Sequence, residues 1–248
     1  MARKPTPKKA DEKADEKAGE KADTKAARPA PDGDKPPRQR VIAAFMALLA
    51  EKPIEEIGLS EIARAAGVSL SELRGLFGST LAILAAQMKE TDRAVLAAED
   101  ADMAEEPARE RLFDVLMRRL ELLEPHKAAV RSLIRSATRN PAIALALNSL
   151  AVRSQQWMLT AADIDSAGPR GMVRAQGMAF LFASALRTWV DDDDPGHART
   201  MAALDRALAR GQRWSGFLDG LSRIPGFAAR MRPRRRRRRD EDEETAAA

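Results

Sequence analysis

From Arg38 to Leu218 apolar residues recur every three or four positions, the spacing that gives a helix one oily face. Val41, Phe45, Leu48 and Leu49 form the first such stripe, on a helix starting near Arg38 and stopped by Pro53. Ile54 and Ile57 pack the connection that follows. The stretch LSEIARAAGVSLSELRGLF, Leu59 to Phe77, then reads as two short helices around a tight turn. Ile62, Ala63 and Ala66 share one face; Gly67 stands where the helix must end, and Val68 fills the corner. Ser69 caps a second helix bearing Leu73, Leu76 and Phe77, and Glu72, three residues on, completes a capping box. Gly78 and Ser79 precede a longer helix, Thr80 to Ala98, with Leu81, Leu84, Met88 and Val95 on its apolar face.

After an acidic, Pro-containing break at residues 99–107 the helical period resumes. Leu112, Val115, Leu116, Leu120 and Leu123 mark one helix, ended by Pro125; Ala129, Val130, Leu133 and Ile134 mark the next, ended before Pro141. Ile143, Leu145, Leu147, Leu150, Val152 and Trp157 mark a third. Gly168, Pro169 and Gly171 read as a loop before the most apolar helix, Met172 to Val190, which the acidic run Asp191 to Gly196 ends. Ala198 to Leu218 is the last helix, with Met201, Leu204, Leu208, Trp214 and Phe217. No segment alternates with period two, so the expected fold is all-α, with about nine or ten helices between residues 38 and 230.

Composition bounds the ordered region. Residues 1–37 are Lys, Glu, Asp, Ala and Pro around a near four-residue repeat, and residues 231–248 are an Arg run followed by acids. Neither carries enough apolar surface to offset chain entropy, so both are expected to be disordered tails. The chain has no Cys and only two His, His126 and His197, far apart in sequence, so no thiolate chemistry and no metal site are expected. No nucleophile, base and orienting group can be assembled, which argues against an enzyme, and no cofactor is implied. No apolar run reaches the length of a membrane span, and the start lacks a secretory signal, so a cytoplasmic protein is expected.

Leu59 to Phe77 has the grammar of a helix-turn-helix, whose second helix enters a major groove. Residues 38–93 resemble the DNA-binding domain of the TetR family of transcriptional regulators: a helix bearing Ala and Phe, then IARAAGVS, a short helix ending in Phe77, Gly78-Ser79, and a long fourth helix. The pattern departs from that family at Gly58, Arg74, Leu76 and Thr80, where Thr, Tyr, an aromatic or His, and Lys are usual. The resemblance implies residues 38–98 as a DNA-binding domain and 99–230 as a helical ligand-binding and dimerisation domain. It also implies a homodimer that binds double-stranded DNA, as a repressor, and responds to a small hydrophobic ligand. Met172–Val190 and Ala198–Leu218 would pair across the two-fold axis, with Leu186 and Leu204 at the contact.

The candidate DNA contacts are Arg38, Arg40, Ser60, Arg64, Ser69, Ser71, Arg74 and Thr80. Arg74 reads as a base or phosphate contact from the second helix, against the plainer reading of a solvated Arg. Ser69, Ser71 and Thr80 can donate to phosphate oxygens, though Ser69 is first of all a cap; Arg38 and Arg40 form an arm. Between Arg38 and Arg93 seven basic residues (38, 40, 52, 64, 74, 89, 93) balance seven acids (51, 55, 56, 61, 72, 90, 92). Binding phosphate from a neutral domain therefore requires an asymmetric arrangement of its charges. The candidate ligand pocket comprises Leu116, Leu120, Leu133, Leu147, Trp157, Met178 and Phe182; the Met172–Val190 stripe equally suits core or dimer interface.

Asp191 to Asp194 reads as a solvated turn rather than a cation site. Trp214 to Arg239 combines apolar residues with an Arg run, a composition that suits contact with an anionic membrane surface or nonspecific nucleic acid, or else a core edge followed by a solvated tail. WVDDDDPGHARTMAALDRALARG is similar to the C-terminal part of a TetR-fold group that assists ubiquinone biosynthesis by binding lipid, which offers an alternative without specific DNA binding.

Overall fold

The computed structural model describes residues 35–98, 103 and 105–222, with side chains as far as residue 211. Among them stand nine α-helices and no strand: α1 Pro37–Glu51, α2 Leu59–Ala66, α3 Leu70–Leu76, α4 Thr80–Ala97, α5 Ala108–Leu123, α6 Lys127–Arg139, α7 Pro141–Ala161, α8 Gly168–Trp189 and α9 Ala198–Ser222. Short 3-10 turns at Ile54–Glu56 and Glu124–His126 join α1 to α2 and α5 to α6.

Local chemistry sets the ends of the helices. Pro37 opens α1, where its missing N–H costs nothing. Gly67 ends α2 in the left-handed region, at φ 63°, and the Val68 N–H reaches back to the Ala63 carbonyl at 3.0 Å. The expected capping box forms: the Ser69 N–H donates to Glu72 Oε2 at 2.8 Å, and the Glu72 N–H donates to Ser69 Oγ at 3.1 Å. Ser79 caps α4 by accepting the Ala82 N–H at 3.1 Å.

Two apolar cores interlock. The first gathers Val41, Phe45, Leu49, Ile62, Leu73, Phe77 and Ile83 from α1 to α4, and takes Ala129 from α6. The second gathers Leu112, Leu116, Leu120, Met158, Phe182, Trp189 and Leu204 from α5 to α9, and takes Val95 from α4. Helix α6 is tied to the end of α1: Ser132 Oγ donates to the Lys52 carbonyl at 3.0 Å, and Ser136 Oγ to Glu55 Oε2 at 2.8 Å. A buried polar link joins α4, α5 and α7, where Asp92 Oδ1 accepts from the Arg119 guanidinium and from Ser154 Oγ, the latter at 2.8 Å.

Three expectations change. Gly168, Pro169 and Gly171 are not a loop but the first turn of α8, with Pro in the first helical turn. Here the preceding strand of chain lies so close that a Cβ on Gly171 would sit 2.0 Å from the Ser166 carbonyl carbon. The acidic run is not wholly solvated: Asp192 is buried and caps α9, accepting the Thr200 N–H at 2.9 Å and hydroxyl at 2.6 Å. These bonds, the hydroxyl's first, hold the Asp192 carboxyl below its usual range. Finally, Leu204 is fully buried in the core of this chain and so is not an outer contact, while Leu186 is half-buried against that core. Among the described side chains of α8 and α9, the exposed large apolar ones are Met172, Val173, Phe180 and Met201.

The expected tail at 1–37 falls outside the described residues up to 34, the expected tail at 231–248 wholly so. The candidate membrane segment Trp214–Arg239 also lies outside the described side chains. Among the described residues no helix is long and apolar enough to cross a membrane.

Candidate nucleic-acid interface and ligand cavity

Helix α3 is held by one face and bares the other. Leu73 and the following Phe77 are buried, while Leu70, Ser71, Glu72, Arg74 and Gly75 are exposed. Ser71 with Arg74 and Gly75, and Leu70 with Arg74, are three or four residues apart and share a side of the helix. Ser60 and Arg64 are exposed on α2. Thr80 is half-buried in the first turn of α4, whose cap is its neighbour Ser79. Arg74 Nη1 lies 3.6 Å from where a Cβ on Gly78 would stand, so its side chain runs toward the turn into α4.

Arg38 and Arg40 begin α1 beside this surface. The Arg38 guanidinium carbon lies 4.8 Å from the centre of the Phe77 ring. Arg40 is half-buried, and its charge acts on Glu72. The Glu72 carboxyl is held below its usual range by the Ser69 N–H first, then by the Ser69 hydroxyl and by Arg40. Of the acids in this region, Glu61 pairs with Lys52, Glu55 accepts from Ser136, and Asp92 is buried against Arg119. Arg38, Arg64 and Arg74 meanwhile stand exposed. The domain of zero net charge thus commits Glu61, Glu55 and Asp92 to partners, while Glu51, Glu56 and Glu72 stand exposed as the arginines do.

Sequence reasoning passed over two residues on this face. Leu70, three before Leu73 and seven before Phe77, has the spacing of a core residue yet is 56% exposed. Gly75 sits within a helix with nothing within 4 Å of a Cβ built on it, so packing does not require its small size. An exposed apolar group at the start of such a helix can meet a thymine methyl, and a missing Cβ lets the helix lie closer to the groove floor.

A cavity of about 300 Å³ opens between α4, α5, α6, α7 and α8, with Met46 of α1 at its edge. Leu84, Met88, Leu133, Ile134, Leu147, Ala151, Phe182 and Leu186 make most of its wall, with Gln87, Thr91, Arg119, Asn148, Ser154, Gln155 and Arg187 as polar points. Leu133, Leu147 and Phe182, expected at a pocket, line it. Leu116 and Leu120 lie in the core beyond the cavity lining, Met178 is half-buried against that core, and Trp157 is 57% exposed on α7. Helix α4 spans both places: it follows α3 directly and carries cavity-wall residues from Leu84 to Thr91.

No protein-family model and no curated protein matches the sequence. Solved structures do. A TetR transcriptional regulator from Nitrosomonas europaea ATCC 19718 superposes with a TM-score of 0.56 at 23% identity, over 72% of this chain and 99% of that one. One from Rhodococcus sp. RHA1 gives a TM-score of 0.50 at 20% identity, over 71% of this chain and 95% of that one. The fold is therefore that of TetR regulators, an N-terminal helix-turn-helix followed by a helical C-terminal region.

Proposed function

We propose that this chain is a homodimeric regulator that binds double-stranded DNA, acts as a repressor, and releases its site when a small hydrophobic ligand occupies the cavity. The observation that carries this reading is the continuity of α4. One end receives α3, with its exposed Ser71, Arg74 and Gly75; four residues inside, Leu84 begins a wall of the cavity. A ligand that prefers a different seat for α4 changes where α3 stands, and so depopulates the DNA-binding arrangement. Two copies present two α3 helices, and their separation sets the fit to successive major grooves. Met172, Val173 and Phe180 of α8, with Met201 of α9, supply an exposed apolar face for the second copy.

The roles divide by chemistry. Arg74 takes a base edge or phosphate, Ser71 and Thr80 donate to phosphates, and Ser69 keeps α3 capped while facing the backbone. Arg38, Arg40, Ser60 and Arg64 supply the flanking contacts. The likeness in fold to TetR regulators supports the reading. The test is a salt titration of binding to random duplex and to the DNA upstream of the protein's own gene. Arg74→Ala is expected to cost about 1–3 kcal/mol at the specific site. Deleting residues 1–37 weakens all duplexes alike and flattens the salt dependence. Unchanged binding in Arg74→Ala, with loss only on deleting residues 232–248, would reject the reading.

A further inference from the structure

Two residues of the cavity wall each carry a buried polar atom that meets no hydrogen-bond partner among the described residues, Arg119 at Nε and Gln155 at Oε1. Gln155 is 1% exposed and the Arg119 side chain 4%. One is a donor and the other an acceptor, and leaving either buried and unpaired is costly. The guanidinium is fixed in place. Its Nη1 bonds Asp92 and contacts Met158 Sδ at 3.8 Å, and its carbon lies 5.6 Å from the centre of the Phe182 ring. The remaining lining is mostly aliphatic or aromatic.

Charge narrows what can satisfy both atoms. Asp92 already balances Arg119, and Ser154 also serves Asp92 rather than a ligand. A carboxylate placed beside this neutral pair would have no buried cation of its own, since Arg187, the other charge of the lining, is an exposed residue. An ammonium would face the guanidinium. Either is costly without a buried partner. A neutral head that both accepts and donates meets no such penalty.

We infer that, on the ligand-responsive reading above, the cavity binds neutral amphipathic molecules, an aliphatic body ending in a hydroxyl or primary carboxamide whose head accepts from Arg119 Nε and donates to Gln155 Oε1. The body occupies the space lined by Leu133, Leu147 and Phe182, next to the α4 residues Leu84 and Met88. A volume near 300 Å³ lies at the small end of ligand pockets, which suits a short chain.

The test uses the full chain without DNA, by calorimetry and thermal shift at neutral pH. The probes are decan-1-ol, decanamide, decyl methyl ether, decanoate and decylammonium. Decanol and decanamide are expected to bind at least tenfold tighter than either ion. The ether, which accepts but cannot donate, falls between. Gln155→Leu lowers decanol affinity to the level of the ether and leaves the ether unchanged. Asp92→Asn, by leaving Arg119 unbalanced, moves the preference toward decanoate, a reversal that a loss of packing alone would not produce.

Equal binding of all five probes, no binding of the two neutral heads, or decanoate binding tightest and being lost in Arg187→Leu would each overturn the inference. A chain that binds these probes but no DNA would instead reject the regulator reading while leaving the cavity's chemistry in place.

Discussion

Arg38 stacks on Phe77, its guanidinium carbon 4.8 Å from the ring centre, and so joins the first turn of α1 to the residue that ends α3. A pair of this kind, with its cation exposed, contributes about 0.5–1 kcal/mol. Arg38→Ala should lower stability by that amount in urea unfolding, and Arg38→Lys should restore only part of it. Because the same side chain faces the proposed DNA surface, both variants should weaken duplex binding by more than the stability change accounts for.

Asp92 and Arg119 form the buried ion pair at the junction of α4 and α5. Asp92→Ala leaves a cation without its partner and should cost about 3–5 kcal/mol. Replacing both residues, as Asp92→Leu with Arg119→Met, should recover most of that loss. Chemical denaturation of the two variants beside the parent checks the prediction; equal losses would show that the pair is not electrostatically coupled.

Glu72 is depressed in the folded chain, so its contribution runs in one direction with pH. The capping box is fully present above the ordinary glutamate value of 4.5 and is lost as pH falls through the lower folded value. Amide exchange at Ser69, whose N–H donates to the Glu72 carboxylate, should therefore speed up relative to intrinsic rates as pH falls through that folded value. Glu72→Gln should remove most of that dependence while keeping a weaker cap.

Gly171 and Gly177 lie in the same helix and should respond oppositely to alanine. At Gly171 the new carbon collides with the backbone of Ser166, and a loss of at least about 2 kcal/mol is expected. At Gly177 nothing lies within 4 Å, and removing a helical glycine should raise monomer stability by about 0.5–1 kcal/mol. Melting temperatures of the two variants decide it.

What could be read from the sequence was local. The turn at Gly67, the Ser69–Glu72 box and the stripes of α1 and α2 are set by neighbours within four residues, and each appears as expected. What could not be read depends on distant partners. Asp92 looks like one more surface acid until Arg119, 27 residues on, and Ser154, 62 residues on, meet it. Asp192 looks like part of a solvated run until Thr200 folds over it. Gly168 and Gly171 look like loop glycines because the reason for Gly171, the return of Ser166, is a contact between segments rather than a propensity. Trp157 reads as one of the apolar positions of α7, whereas the lining is set by which side of that helix turns inward; Gln155, two residues earlier, lines the cavity.

The bonds from Ser132 and Ser136 to the end of α1, and the place of Ala129 in the first core, bear on how such a molecule can be rearranged. Joining residues 38–98 to the rear half of another protein of this fold would strip the first core of a wall it was shaped against. A working hybrid would have to carry α6 across the seam or re-cut the surface of α1 to match its new neighbour. Exchange of C-terminal halves between proteins of this fold is a matter of matched surfaces, and those surfaces change in pairs.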